Sequence, residues 1–374
     1  MAFPIPCGIV LNRSHAEVAA VVLFYMVAAL VMVFVNKAVL ISTPELPLLF
    51  LLVQLVIAVV LLHISAVVWR DKVQLPKRIL DLEKIKKLAP VITVNVVGLI
   101  FNTLCLRGVE AAFFQIARGL VLPLTIAVTA LHTSEAPSGP LLWSAGTVTV
   151  GFLLGIVPPT LIPPFATSEA SPVPASAIPS SLSLLYGFLS SLFIAIHAVL
   201  IKTSLAHVDN STLELAYWSN AGSAVLLAPF VIFTGEVTLM VDMTRATIQG
   251  GTHWNWSVFL SGSLITGCFG FLLCVAGLLS VKVTSPVTHM FSSAAKSVLQ
   301  TLLGVWLFND VLTINRGVSI LTITSGTLYY TWVKTSGNGK SERASQSAGK
   351  WDQEDDSESA LLHGAEEGLH EAKQ

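Results

Sequence analysis

Apolar runs long enough to cross a bilayer recur along the whole of this 374-residue sequence. A hydrocarbon core of about 30 Å needs roughly 20 residues of helix. Only 11% of the residues are charged, against about 25% in a typical soluble domain. Because backbone groups in lipid must be hydrogen-bonded within the chain, these runs favour a helical bundle over a sheet. The sequence therefore predicts an all-α membrane protein with ten transmembrane helices, at about 17–40, 47–69, 88–107, 110–131, 141–157, 182–203, 213–234, 256–281, 285–308 and 311–333.

Most of the 21 lysine and arginine residues fall on one side of the membrane when the chain is threaded through ten spans. Cytosolic loops carry an excess of these residues, so this side is expected to be the cytosol. An even number of spans then places both termini there. Six residues are exceptions: three fall on the opposite side, Arg107, Arg245 and Arg316, and three lie inside the spans, Lys37, Arg118 and Lys296.

A stretch rich in serine, proline and alanine, SEASPVPASAIPSS, divides the spans into two groups of five. The first apolar run is too long for a secretory signal peptide and lacks a cleavage pattern, so it is interpreted as the first span. We expect a cytosolic N-terminus over 1–16, a five-helix half over 17–157, a luminal linker over 158–181, a second half over 182–334 and a disordered cytosolic tail over 335–374.

An odd number of spans in each half means that a second copy of the half would cross the membrane in the opposite orientation. A short match favours such a repeat: AVLIST near the end of the first span resembles AVLIKT near the end of the sixth. Inverted repeats of secondary transporters place their binding site near the midplane, between the halves. We therefore predict two inverted five-helix repeats around a central site.

Each half carries one cation inside its fourth span, Arg118 in FFQIARGL and Lys296 in MFSSAAKS. A cation at the centre of a span costs about 2.5–3.5 kcal/mol by translocon scales. Neither helix offers an acidic residue one turn away that could neutralise it. The two side chains could pair with a carboxylate of another helix or extend to the surface. We instead interpret them as the phosphate-binding groups of a cavity that receives an anion.

A polar and aromatic patch opens the seventh span. Its residues, Tyr217, Trp218, Ser219 and Asn220, could stack on a nucleobase and bond its edge, as proteins do with unstacked bases. Aromatic residues at a membrane interface and small residues at a helix contact explain the patch equally well.

The ninth span carries a polar stripe with helical spacing, Thr288, His289, Ser292, Ser293 and Lys296. Inside a membrane such a stripe faces protein or a water-filled cavity, so Ser292 and Ser293 are assigned to the phosphate site and the first two to the cavity wall.

Three further polar residues are predicted to line the same cavity, Asn36, Lys37 and Asn102. Lys37 could equally extend to the membrane surface.

No catalytic or metal-binding pattern competes with this interpretation. The sequence lacks a P-loop, a GxSxG elbow and a metal-ligand pair at helical spacing, and its four cysteines are scattered. We therefore predict no enzyme activity, no catalytic residue, no cofactor and no metal. The net charge of −1 gives no basic field that would attract nucleic acid.

Several segments resemble the nucleotide-sugar transporters of the drug/metabolite transporter superfamily, with a triose-phosphate-transporter-like domain, and are most similar to the Golgi GDP-fucose transporter family. The segments, which spread over spans 1, 3, 4, 9 and 10, are FVNKAVL, FNTLCLRGVEAAFFQIARGL, TSPVTHMFSSAAKSVLQTLLG and YTWVK. In related GDP-sugar carriers an FYNN-type motif contacts guanine and a GALNK-type motif contacts ribose and phosphate. By position these motifs correspond to Tyr217–Asn220 and Ser292–Lys296, and the sequence departs from both.

The resemblance implies an antiporter in the Golgi membrane, or alternatively the endoplasmic reticulum membrane, that exchanges luminal GMP for cytosolic GDP-fucose or a close GDP-sugar. Its partners would be a nucleotide sugar, a nucleoside monophosphate and the lipid bilayer, and a homodimer is left open. Two alternatives remain at this stage. One is a carrier of another nucleotide sugar or a small sugar phosphate, and the other is a membrane scaffold or regulator that transports nothing.

Overall fold

The computed structural model describes residues 3–4, 10–11, 13–68, 75–76, 81–156, 180–209, 211–251, 254–283, 286–310 and 313–336. A two-stranded antiparallel ladder joins Phe3–Pro4 (β1) to Val10–Leu11 (β2). The predicted linker and tail lie outside the described residues, apart from 180–181 and 335–336.

Every other element of the described chain is helical, with one short 3₁₀ turn at Ala206–Val208. In chain order the α-helices are α1 (Arg13–Ser42), α2 (Pro47–Val68), α3 (Leu82–Gly108), α4 (Ala111–Gly119), α5 (Val121–Thr133), α6 (Gly139–Ile156), α7 (Ser181–Leu205), α8 (Thr212–Phe233), α9 (Glu236–Ile248), α10 (Trp256–Val283), α11 (Pro286–Phe308) and α12 (314–336).

Eight helical stretches within the described residues are long and apolar enough to cross a membrane. They coincide with the first eight predicted spans, and the fourth joins α4 to α5 as Phe113–Thr133. The prediction of an all-α membrane protein is thereby confirmed. The ninth and tenth predicted runs are also helical, as α11 and α12, and the apolar stretch described in α11 is the shorter Ala295–Phe308.

One helix has no counterpart in the predicted set. Helix α9 follows α8 after a short turn, in which Gly235 adopts a left-handed conformation with φ 74°. At 13 residues α9 spans only about 20 Å, which is too short to cross a bilayer. It therefore belongs to a connection that the sequence pattern represents only as a loop.

Helix α3 runs between the two ends of the bundle, and its contacts define the direction of its neighbours. The Asp81 side chain caps its first turn by accepting from the Lys84 amide at 3.3 Å. Lys84 also pairs with Glu214 of α8 at 3.0 Å, while the Asn95 amide donates to Ser223 of α8 at 3.1 Å, so α3 and α8 run parallel. We call the end that holds Lys84 and Glu214 the Lys84 end, and the opposite end, beyond Gly108, the Glu110 end.

Small residues bring α6 and α12 into close contact across the two halves. The Ser319 hydroxyl donates to the Gly151 carbonyl at 2.6 Å, and the Ser144 hydroxyl donates to the Gly326 carbonyl at 3.0 Å. A Cβ built on Gly151 would lie 2.9 Å from Ile323, so only glycine permits this approach. Contacts of this kind hold helices together in lipid, where the hydrophobic effect gives no preference for protein over tails.

Candidate functional site

Helices α4 and α11 pack side by side, and Ala111 at the start of α4 lies in one cluster with Phe308 at the end of α11, so the two helices run antiparallel. The Gln300 amide donates to the Ala111 carbonyl at 3.2 Å, which fixes the register of the pair. At 1.5 Å per residue, Arg118 lies about 10 Å from Ala111 and Lys296 about 6 Å from Gln300, in the same direction along the bundle. The two cations predicted from separate halves therefore lie close together, near enough to interact electrostatically.

Arg118 is exposed, although Phe113, Phe114 and Ile116 of the same helix are buried. Its guanidinium opens onto a cavity of about 200 Å³ between α3, α4 and α7. The ring of Phe114 lies 5.7 Å from the guanidinium carbon, and Tyr25 of α1 lies within electrostatic range. Asn102, predicted to line the site, is part of the same cavity wall.

Three acidic groups of the bundle are engaged elsewhere. Glu110 pairs with Arg316, and Glu214 pairs with Lys84. Glu236 accepts hydrogen bonds from the amides at the start of α2. Within the part of the chain that the structure describes, neither Arg118 nor Lys296 has a carboxylate partner. The cavity accordingly carries positive charge that the protein leaves uncompensated there.

A second cavity, of about 150 Å³, lies between α1, α2, α8 and α10. Asn220 lines it together with Gln54 and Thr266, and Leu99 lines both cavities. The Gln54 amide donates to Asn36 and to the Thr266 hydroxyl, both at 2.7 Å. Asn36 therefore supports the wall of this cavity through Gln54.

The aromatic residues predicted to contact a base are packed away from both cavities. Tyr217 and Trp218 are buried in a cluster with apolar side chains of α2 and α3, and the Tyr217 ring meets His63 edge to face. The Trp218 indole donates to Glu214 at 3.4 Å. Ser219 is half-buried, so Asn220 is the member of this patch that lines a cavity.

Lys37 is buried and bonded to the end of α3 rather than exposed in either cavity. Its ammonium donates to the carbonyls of Leu106 at 2.9 Å and Val109 at 2.5 Å. The last carbonyls of a helix lack partners within the helix, and a cation there also interacts favourably with the helix dipole. Capping of α3 explains the position of this residue.

The remaining predicted residues, Thr288, His289, Ser292 and Ser293, lie on α11, and their side chains fall outside the described residues. Asn95, which precedes Asn102 by seven residues on α3, lines the same cavity as Asn102. The structure also adds groups that were not assigned to the site, namely His197, Gln54 and Thr266. A polar residue within an apolar run is the only sequence signal that any of them gives.

These features define a multi-pass membrane protein whose interior holds two small cavities, one of them with Arg118 in its wall and Lys296 nearby. The sequence is similar to curated GDP-fucose transporters along most of its length. It is 27% identical to GDP-fucose transporter 1 of Dictyostelium discoideum over 85% of this chain and 80% of that protein. It is 29% identical to GDP-fucose transporter 1 of Mus musculus, with 85% and 83% covered, and 27% identical to the Golgi GDP-fucose transporter of Drosophila melanogaster, with 87% and 92% covered. No family model matches the sequence.

Proposed function

We propose that this protein is a nucleotide-sugar antiporter that brings GDP-fucose, or a close GDP-sugar, into the Golgi lumen in exchange for GMP. The observation that carries the proposal is that Arg118 lines a cavity and Lys296 lies within electrostatic range of it, neither of them with a carboxylate partner among the described residues. A diphosphate is the natural counter-charge for two such cations. The names of the similar transporters support the substrate class, and the Drosophila relative's name supports the Golgi membrane.

The proposed topology has ten spans in two inverted five-helix repeats with both termini in the cytosol. In this scheme α11 and α12 are the ninth and tenth spans, and α9 lies outside the membrane core. Two relations support it: α3 and α8, the third and seventh spans, run parallel, and α4 and α11, the fourth and ninth, run antiparallel. The Lys84 end is then cytosolic and the Glu110 end luminal.

The proposed exchange follows from electrostatics. A cavity with two uncompensated cations resists closure, because closure removes water from charges that have no partner. A bound nucleotide neutralises them and allows the halves to rock around the site. In this mechanism Arg118, Lys296, Ser292 and Ser293 bind phosphate, while Asn220 and Ser219 recognise the base. Tyr217 and Trp218 would shape the base site from behind, since both are buried.

The decisive experiment reconstitutes the purified chain in liposomes and measures uptake of labelled GDP-fucose. We expect uptake when GMP is trapped inside and almost none from empty vesicles. Lys296→Ala and Arg118→Ala should each lower the rate by about 10-fold or more, since each removes a charge-assisted contact. Lys334→Ala, which changes an exposed lysine of α12, is the matched control and should transport normally. Equal uptake with and without internal GMP would refute exchange, and full activity of both variants would refute the phosphate site.

A second candidate is a carrier of a smaller phosphorylated compound, such as a triose phosphate or another sugar phosphate. The size of the cavities favours it, because 150–200 Å³ each is small for a nucleotide sugar. A thermal-shift screen separates the two candidates. A ligand at 100 times its dissociation constant stabilises the folded state by about 2.7 kcal/mol. Stabilisation by GMP, and not by UMP or triose phosphate, supports the GDP-sugar carrier; the reverse pattern supports the smaller substrate.

A further inference from the structure

His197 of α7 has no assigned role, yet it lies in the wall of the cavity that holds Arg118. Its Nε2 atom is buried and has no hydrogen-bond partner among the described residues. A buried polar nitrogen without a partner is unfavourable, and native proteins contain few of them. Nε2 is therefore available to hydrogen-bond a molecule bound in this cavity.

Contacts between α7 and its neighbours fix the height of His197 along the bundle. Helix α7 runs antiparallel to α3: the Ser183 hydroxyl donates to Gly108, and the Ser190 hydroxyl donates to Asn102. Continuing this register for seven residues places His197 level with Asn95.

The same helix sets the height of Arg118. The Ser191 hydroxyl donates to the Ala117 carbonyl at 2.9 Å, so Arg118 lies close to the level of Ser191. His197 is six residues further along α7, which is about 9 Å toward the Lys84 end.

Asn220 occupies the next level in the same direction. Its helix, α8, is in register with α3 through the bond between Asn95 and Ser223. Asn220 precedes Ser223 by three residues and therefore lies about 4–5 Å closer to the Lys84 end than His197 does. The order along the bundle axis is Asn220, then His197, then Arg118. Asn220 lines the second cavity, which adjoins the cavity of His197 and Arg118 at Leu99.

We infer that His197 hydrogen-bonds a ribose hydroxyl of the transported nucleotide. The inference rests on the proposed function, in which Asn220 binds the base and Arg118 the phosphates. The chemical order of a nucleotide is base, ribose and phosphate, and His197 lies between the residues assigned to the first and last of these. A neutral imidazole can donate to a hydroxyl through one ring nitrogen or accept from it through the other, so either tautomer suits the contact.

The test is a chemical double-mutant cycle on the purified full-length chain. Dissociation constants are measured for GMP, 2′-deoxy-GMP and 3′-deoxy-GMP with the wild type, His197→Phe and His197→Gln. In the wild type, loss of the contacted hydroxyl should weaken binding by about 2- to 10-fold, the range that a single hydrogen bond gives. In His197→Phe, GMP should bind as weakly as that deoxy analogue, while His197→Gln should restore part of the difference. His207→Phe changes an exposed histidine just beyond α7 and is the matched control.

The outcomes separate this inference from the proposed function. If the wild type binds GMP but discriminates against neither deoxy analogue, the ribose contact is refuted and the antiporter proposal stands. If the full deoxy penalty persists in His197→Phe, the hydroxyl contacts another residue and the inference is again refuted. If His197→Phe does not give folded protein, His197→Ala replaces it in the same cycle. Failure of the wild type to bind GMP at all refutes both proposals together.

Discussion

Glu236 makes a contact whose strength can be predicted from its geometry. It is the first residue of α9, only 6% exposed, and belongs to the second half of the chain. Its carboxylate accepts from the backbone amides of Leu49 at 2.7 Å and Leu48 at 3.3 Å, in the first turn of α2. The second half thus caps a helix of the first half.

Replacing Glu236 with alanine removes this cap. Loss of a capping side chain costs about 0.5–2 kcal/mol, and loss of a negative charge at a helix N-terminus about 0.3–1 kcal/mol. The substitution also removes the desolvation cost of burying a carboxylate, which offsets part of this loss. We therefore expect Glu236→Ala to lower the free energy of unfolding by about 2 kcal/mol. Glu236→Gln keeps one acceptor and should lose about half as much.

The prediction includes a pH dependence with a definite sign. Burial raises the pKa of the Glu236 carboxyl above its ordinary value of 4.5, against the lowering effect of the bonds to Leu49 and Leu48 and of nearby Arg107. The folded protein therefore holds this proton over a pH range in which the unfolded chain has lost it. Stability from this group is greatest below pH 4.5 and falls as pH rises through the folded pKa. Glu236→Gln has no such proton, so its deficit relative to the wild type should shrink as pH rises.

The assay is thermal unfolding of the detergent-purified protein, followed by tryptophan fluorescence between pH 4.5 and pH 7.5. For a large chain about 1 kcal/mol corresponds to roughly 2 °C, so Glu236→Ala should lower the midpoint by about 4 °C. Asp242→Asn changes an exposed carboxylate on the same helix and should leave it unchanged. An Ala variant as stable as the Asp242 control, or a Gln deficit that grows with pH, would contradict the reasoning.

Three further variants test other contacts by the same assay. Lys37→Met deprives the end of α3 of its donor and should cost about 1–3 kcal/mol, whereas the apolar stem is retained. Gly262→Ala places a Cβ 2.1 Å from Val39 and should cost about 1–3 kcal/mol, part of which the double variant with Val39→Ala recovers. The half-exposed pair of Lys84 and Glu214 should show a coupling energy of only about 0.2–1 kcal/mol in a double-mutant cycle, and less in high salt.

The sequence predicted the spans well because the relevant signal is local. A run of about 20 apolar residues has few alternatives to a membrane helix, so the first eight predicted spans coincide with eight membrane-length helices. Arg118 and Lys296 were proposed as site residues for a related reason. A cation in an apolar run is costly wherever it lies, and this cost marks it as a candidate before any contact is known.

Roles that depend on contacts with distant residues could not be predicted from the sequence. Lys37 looks the same in the chain whether it faces a cavity or caps a helix, and its bonds reach 69 and 72 residues away. Glu236 lies in a connection without an apolar run, and its role depends on a helix 187 residues earlier. Tyr217 and Trp218 suited a base site as well as a core, and packing against α2 and α3 decided for the core.

The two ends of the bundle are bridged unequally among the described residues, and this bears on the proposed exchange. At the Lys84 end one half-exposed ion pair joins the halves. At the Glu110 end the halves are joined by the Glu236 cap and by the ion pair of Glu110 with Arg316, in which Arg316 is buried. Breaking this more buried pair costs more than breaking the half-exposed one, which contributes only about 0–1 kcal/mol, because solvent screens it less. In the proposed antiporter, the Glu110 end must open to release substrate to the lumen. The empty carrier must overcome both the loss of this ion pair and the repulsion between Arg118 and Lys296. In the loaded carrier the bound nucleotide removes the repulsion. The difference favours movement of the loaded carrier in both directions, which is the requirement for exchange.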